Sequence, residues 1–235
     1  MTTIQTELRA RANPEKAAFF PRFFKAGPGE YGEGDQFLGI TVPDCRMVAR
    51  AHVDAPIAII EDLLESPWHE ERLTALIILV MQYKRGDQAI RQKLYEFYLA
   101  HTARVNNWDL VDTSCRDIVG WHIYDHPELL PTLDTLAASP VLWERRIAMV
   151  STFYFLQKDD PSVTLHMAET LVDDQHDLIQ KAVGWMLREM GKRVDQQLLV
   201  EFLAHHYRTM PRTALRYAIE RFSPETRKAY LQGTA

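Results

Sequence analysis

Two stretches of this chain begin alike. SPWHEERLTALIILVMQYKRGD from Ser66 and SPVLWERRIAMVSTFYFLQKDD from Ser139 both run Ser-Pro, acidic residue, Arg, apolar helix and polar exit. DLIQKAVGWMLREMGKR from Asp177 and MPRTALRYAIERF from Met210 read as further copies. With Arg72, Asp112, Arg146, Lys181 and Arg212 as matching positions, the intervals are 40, 34, 35 and 31 residues. That is the size of a two-helix solenoid unit. One helix pair cannot bury its apolar stripe alone, so neighbours must stack. The expectation is an all-α fold: a single curved, right-handed solenoid over residues 1–235. Its concave face would be lined by those five side chains, about 10 Å apart from repeat to repeat.

Strand-like alternation is almost absent, and Pro falls where first helical residues belong. Pro67 follows Ser66, Pro140 follows Ser139, Pro161 follows Asp160 and Pro224 follows Ser223. A Ser or Asp cap accepts an orphan amide bond, and Pro at the first turn has no amide to satisfy. These signals predict helices at 3–11, 14–25, 44–54, 56–65, 67–84, 88–101, 108–121, 126–137, 140–157, 161–172, 176–191, 195–206, 211–221 and 224–231. The loop from Gly27 to Gly39, GPGEYGEGDQFLG, has glycines but carries Glu30, Glu33 and Asp35 and no Lys. It would repel a phosphate, so it reads as a connecting loop.

An apolar fraction of 46% excludes disorder. Cys45 and Cys115 are the only cysteines, too few for a disulfide framework or a Cys-rich metal site, and both read as buried structural residues. The setting expected is reducing and intracellular. The longest apolar run, Ala75 to Met81, falls far short of the roughly 20 residues of a membrane span. The N-terminus has no apolar core, which predicts no secretory signal. The net charge of −5 argues against a blanket nucleic-acid coat. Residues 1–138 hold 14 Lys+Arg and 20 Asp+Glu, whereas residues 139–235 hold 13 and 12. A polyanion site would therefore be a local basic face drawing on the C-terminal part.

In helix 176–191, Val183, Met186, Leu187 and Met190 form the core stripe, and Lys181, Trp185 and Arg188 lie on another face. A Trp between two cations suits a sugar-phosphate chain. It equally suits a Trp packed on the next repeat beneath Lys and Arg stems. In helix 108–121, Asn107 caps, and Trp108 and Asp112 share a face. Asp109 sits in the first turn, where the helix dipole explains a carboxylate. Asp112 lies past that turn. With repeats in register, Asp112 would face Arg146 across a groove, with Trp108 and Trp185 on either side. The pair reads either as an ion pair between repeats or as a reactive carboxylate held ionised by an Arg.

NNWDLVD, followed by WERRIA and QKAVGWMLRE, resembles the bacterial DNA alkylation repair glycosylases of the AlkD type, all-helical proteins of HEAT-like repeats. NPEKAAFFPRFFK followed by FLGI and TVP resembles that family's N-terminal signature, so the likeness runs from Asn13 to about Arg221. The resemblance implies that Asp112 is the catalytic acid, with Trp108, Arg146 and Trp185 completing the catalytic set. Phe23 stands where a family member carries Tyr, and the acidic Gly27–Asp35 stretch looks like an insertion. The resemblance further implies reading of the DNA backbone with the lesion left largely in the stack.

The expected activity is excision of cationic alkylated purines, of the 3-methyladenine and 7-methylguanine type, from duplex DNA. Cleaving the N-glycosidic bond builds positive charge on deoxyribose, which Asp112 can stabilise while it positions water. A cationic base leaves without a general acid, so one carboxylate suffices. Lys181, Arg188, Arg212 and Arg72 are the expected DNA-binding cations. No cofactor or metal is expected. His122 and His126 are i, i+4 but lack the Glu of the zinc-protease motif. The remaining expectations are a monomer with no membrane contact, in the bacterial cytoplasm and at the nucleoid when acting. The alternative is a non-catalytic HEAT-like binding module for a protein partner or for DNA structure, because most helical solenoids bind rather than catalyse.

Overall fold

A computed structural model describes residues 1–235. The chain is helical almost throughout, and its one β-type contact is an isolated bridge between Gln36 and Trp68. It divides into two compact units, Met1–Ile118 and Val119–Ala235.

The first unit holds α1 (Thr3–Arg9), α2 (Pro14–Phe23), α3 (Val42–Ala51), α4 (Ile57–Leu64), α5 (His69–Arg85), α6 (Gln88–Ala100) and α7 (Trp108–Cys115). Helix α5 is its axis and packs against α3, α4 and α7. The apolar run Ala75–Val80 explains why α5 is buried all round rather than along one stripe. Its first turn is buried too, and each polar side chain there has partners. The Glu70 carboxylate accepts the N–H groups of Leu38, Gly39 and Ile40 at 2.9, 2.7 and 3.1 Å. Gly39 has φ +78°, and a Cβ there would lie 2.1 Å from the Asn13 carbonyl oxygen, so only glycine fits. Glu71 accepts from Gln5, Arg9 and Ser66.

The second unit holds α8 (Trp121–Asp125), α9 (Pro131–Ala137), α10 (Leu142–Ser151), α11 (Phe153–Leu156), α12 (Ser162–Leu171), α13 (Asp177–Arg193), α14 (Gln196–His206), α15 (Arg212–Ala218) and α16 (Pro224–Gln232). Here α13 is the axis and touches α10, α12, α14 and α15. A Cβ at Gly184 would meet the Ala214 carbonyl oxygen at 2.3 Å, which is why α15 can lie so close. Gly120 is used in the same way against Ser151, and the next neighbours, Tyr154 and Tyr217, also correspond. The matching positions are therefore Gly120-Trp121 and Gly184-Trp185. A register that pairs Asp112 with Lys181 does not describe these contacts.

Several expected helix starts are corrected. Ser223 and Pro224 cap α16 as expected, with Ser223 accepting from Thr226 N–H. Pro67 and Pro140 instead lie before the helices, which begin at His69 and Leu142. Ser66 and Ser139 accept from the N–H groups of Trp68 and Val141, and their hydroxyls donate to Glu71 and Glu144. Helix α12 begins at Ser162, one residue later than expected, and Asp160 accepts from the Ser162 N–H. Expected helix 108–121 is interrupted, because Arg116–Gly120 forms a turn of π-helix between α7 and α8.

Candidate active site

The first turn of α5 and the start of α7 are joined by a buried chain of charges. Arg72 donates to Asp35 at 2.6 Å, and His69 Nδ1 donates to the other Asp35 oxygen at 3.0 Å. His69 Nε2 donates to Asp109 Oδ2 at 2.8 Å. Burial alone would push the His69 imidazole down. The Asp109 charge and the hydrogen bonds to Asp109 and Asp35 outweigh it and hold His69 up at about 9. The imidazole is therefore a cation at neutral pH, with both N–H groups used. Burial would likewise raise Asp35, but His69 and Arg72 hold its carboxyl below the usual carboxylate range. The Gly27–Gly39 loop thus does more than connect helices: it delivers Asp35 to this chain. Asp109 is more than a helix-dipole partner, since it anchors α7 to His69.

Above this chain lies a cavity of about 640 Å³ in the first unit, lined by Trp108, Asp109 and Asp112. Asn107 caps α7 by accepting from the Trp108 N–H, and the i, i+4 spacing then carries Trp108 and Asp112 to the same cavity. The Trp108 ring stacks on Phe24 at 5.8 Å, and Phe23 meets it edge-on at 5.7 Å. Phe23 is about half exposed and lines the same cavity. Arg46, Lys84 and Arg116 bring positive charge to the lining. Lys84 and Arg116 both pair with Asp117, at 3.0 and 2.6 Å.

In the second unit Arg146 is buried, and its guanidinium donates to the Leu178 carbonyl at 2.6 Å in the first turn of α13. On α13, Lys181 pairs with Asp177 at 2.6 Å, and Arg188 pairs with Glu189 and Glu220. Trp185 is half-buried, its ring 6.3 Å from Phe153. Arg212 is exposed at the start of α15.

Arg72 is a correction. It is 2% exposed, bound to Asp35 and to the Ser66 carbonyl, and is not a cation on an open groove. In the α10 copy the residue that closes on the serine carbonyl is Arg145, which also reaches Asp174 at 2.7 Å. The structural partner of Arg72 is therefore Arg145, and Arg146 stands where the first copy has Leu73.

No group of three or more His, Cys, Asp or Glu side chains is placed to hold a metal ion. Cys45 and Cys115 are both buried and form no disulfide, and burial pushes the Cys45 thiol up to about 12, far from a nucleophile at neutral pH. No helix is long and apolar enough to cross a membrane.

The sequence profile of the DNA alkylation repair enzymes matches residues 4–222. The chain belongs to the DNA alkylation repair enzyme family. Among solved structures it is similar to a predicted DNA alkylation repair enzyme from Enterococcus faecalis, with TM-score 0.71 and 20% identity over 91% of this chain and 98% of that one. AlkD2 from Streptococcus mutans aligns with TM-score 0.58 and 15% identity, over 89% and 98% of the two chains. The protein smu.31 from Streptococcus mutans UA159 aligns with TM-score 0.57 and 15% identity, over 77% and 92%. At these identities the likeness concerns the fold. A search of curated proteins finds no match.

Within this DNA alkylation repair family member, sequence reasoning missed Asp35, His69, Arg46, Lys84 and Arg116. One signal for the first two was present. The polar run His69-Glu70-Glu71-Arg72 directly precedes the longest apolar run of the chain, and polar groups buried at such a place must be paired.

Proposed function

We propose that this DNA alkylation repair family member is a DNA N-glycosylase that removes cationic alkylated purines from duplex DNA. The observation that carries the reading is the shared placement of Asp112 and Trp108 on one solvent-connected cavity whose lining also offers cations for phosphate. In the reaction the bond between deoxyribose C1′ and the purine nitrogen breaks. Its electron pair goes to the base and neutralises it. The Asp112 carboxylate stabilises the positive charge on the sugar and orients a water molecule. The water oxygen bonds to C1′ and its proton leaves through Asp112. The products are a free neutral base and an abasic site.

The ring face of Trp108 adds attraction to the cationic sugar, a role this reading also gives to Trp185. Arg146 binds a backbone phosphate, and Lys181, Arg188 and Arg212 contribute further phosphate contacts. Arg72 is left out of this set by its burial. The expected substrate is duplex DNA bearing the lesion, handled by a monomer in the bacterial cytoplasm.

The test is release of free 7-methylguanine from methylated duplex DNA by the purified protein, with uracil-containing duplex alongside. The reading expects 7-methylguanine release and little uracil release, since neither Asp112 nor the doubly bonded His69 offers an acid for a neutral base. Absence of base release with retained duplex binding would favour a non-catalytic DNA-binding module.

A further inference from the structure

Three consecutive residues at the start of α7 are tethered. Asn107 is fully buried, and its Oδ1 accepts the Trp108 N–H at 2.9 Å. Its Nδ2 donates to the Phe24 carbonyl at 3.4 Å. The Trp108 ring packs on Phe23 and Phe24. Asp109 has one side-chain hydrogen bond, from His69, and its other oxygen is buried without a partner. The tethers of Asn107 and Asp109 lead on to one segment, the loop that follows Phe24.

In that loop Gly32 is buried, and a Cβ there would lie 2.7 Å from the Phe24 carbonyl oxygen and 3.1 Å from Asn107 Nδ2. Glycine is what lets the loop lie against the α7 cap. Three residues on, Asp35 accepts from Arg72 and from His69 Nδ1, and the other His69 nitrogen holds Asp109. The loop backbone is fastened as well. Gly32 N–H donates to the Lys25 carbonyl, Gln36 N–H donates to the Pro67 carbonyl, and the Gln36 carbonyl accepts the His69 N–H. Glu30 and Glu33 accept the N–H groups of Gly27 and Gly29 and stay exposed. Asp35 alone among the loop acids is turned inward, with its side chain 4% exposed. Connecting loops run over the surface, and burying a charge is costly. A loop that only joined α2 to α3 would need neither a buried carboxylate nor a glycine wedged against the cap of another helix.

We propose that the Gly27–Asp35 loop is a positioning element for the reaction: Asp35, through His69 and Asp109, and Gly32, through Asn107, fix the first turn of α7 and so the placement of Trp108 and Asp112 against the DNA sugar. Asp35 is a positioning residue, since it touches neither sugar nor water and acts through its neighbours. Asp112 lies one turn beyond Trp108 on the same face, so a tilt of the first turn moves both. A shift of about 1 Å in such groups can cost roughly 100-fold in rate. The inference rests on the excision reading for what Trp108 and Asp112 do, and its first readout is independent of excision.

Three variants of the full-length protein separate the contributions. Asp35→Asn removes the charge that His69 and Arg72 share. Gly32→Ala drives a methyl group against the Phe24 carbonyl and Asn107 and alters no charge. Glu33→Gln removes an exposed loop charge and keeps an acceptor for the Gly29 N–H. Each is measured at a temperature where circular dichroism shows it folded, and Gly32→Ala keeps the test decisive where Asp35→Asn fails to fold. The first readout is the indole N–H resonance of Trp108 in the free protein, assigned by its loss in Trp108→Phe. Asp35→Asn and Gly32→Ala should each shift it and leave the Trp143 and Trp185 resonances in place, and Glu33→Gln should not shift it. The second readout is single-turnover release of 7-methylguanine at saturating protein, beside duplex affinity. Asp35→Asn and Gly32→Ala should slow release about 10–100-fold while the duplex Kd stays within about twofold of wild type. Glu33→Gln should leave both near wild type. A loop that served stability alone would move neither readout in folded protein. An unmoved Trp108 resonance in either folded variant, or a moved resonance with release at the wild-type rate, overturns the positioning role. Absence of release by the wild-type protein, with the resonance shifts present, would sink the glycosylase reading and leave the hold of the loop on α7 standing.

Discussion

At the start of α5, Ser66 holds the Trp68 N–H and the Glu71 carboxylate, and Arg72 closes on the Ser66 carbonyl. At the start of α10, Ser139, Val141, Glu144 and Arg145 repeat that arrangement. The copies part at the next residue. Leu73 follows Arg72 and is buried, whereas Arg146 follows Arg145 and sends its guanidinium to the α13 backbone. The Arg that closes on the serine carbonyl is part of the scaffold in both copies, and only the second copy adds a further Arg, the one to which the proposed function gives a phosphate. The acids differ as well. Arg72 and its Asp35 partner are 3% and 4% exposed, and the Arg145–Asp174 pair is 18% and 10% exposed.

Arg72→Ala should break this comparison most visibly. It leaves buried Asp35 with His69 as its one remaining cation, and the expected loss is about 3–5 kcal/mol in chemical denaturation. Arg145→Ala should cost less, about 1.5–3 kcal/mol, because water reaches that pair. Equal losses would mean that the depth of the two pairs is unimportant.

His69 ties the α5 copy to pH. Its folded value, about 9, lies above its ordinary value of 6.5. The stabilisation is fully present below pH 6.5 and is lost as pH rises through 9, to a total of roughly 3 kcal/mol. Asp35, held low, adds stability that is lost only on acidification. Urea midpoints should therefore fall between pH 6.5 and 9, and His69→Gln should flatten that fall. An unchanged slope in His69→Gln would place the pH dependence elsewhere.

Arg146→Leu converts the second copy to the pattern of the first. Duplex affinity and excision should both drop, by about 1.5–3 kcal/mol in binding, the worth of charge-assisted bonds. Arg145→Ala, assayed where it remains folded, should leave the affinity near wild type. The smallest effects belong to the outer cations. Each phosphate contact contributes about 0.9 to the log–log salt slope. Arg212→Ala should remove close to that, and Lys181→Ala less, since Asp177 already neutralises it in part. Arg72→Ala should leave the slope unchanged.

Most helices were legible because their signals are local. Asn13, Asp87, Asn107, Asp195 and Ser223 all cap as short polar side chains should. The Ser-Pro starts misled because a second acceptor and an Arg, several residues on, move the helix start forward. The repeat register slipped for a related reason. Adjacent arginines at 145 and 146 look interchangeable in sequence, and only the Ser139 carbonyl tells them apart. Trp108 and Asp112 were legible as a pair because helical spacing places them together. The Asp35–His69–Asp109 chain was not, since it joins a loop to two helices and no local pattern records that meeting.

The central claim is that Asp112 works on the sugar while the cations hold the backbone. Single-turnover release of 7-methylguanine from methylated duplex DNA, compared between wild type and Asp112→Asn at saturating protein, tests it most directly. The account predicts a rate lower by roughly 10²–10³-fold with duplex affinity unchanged or slightly tighter. Release at the wild-type rate by Asp112→Asn would contradict it.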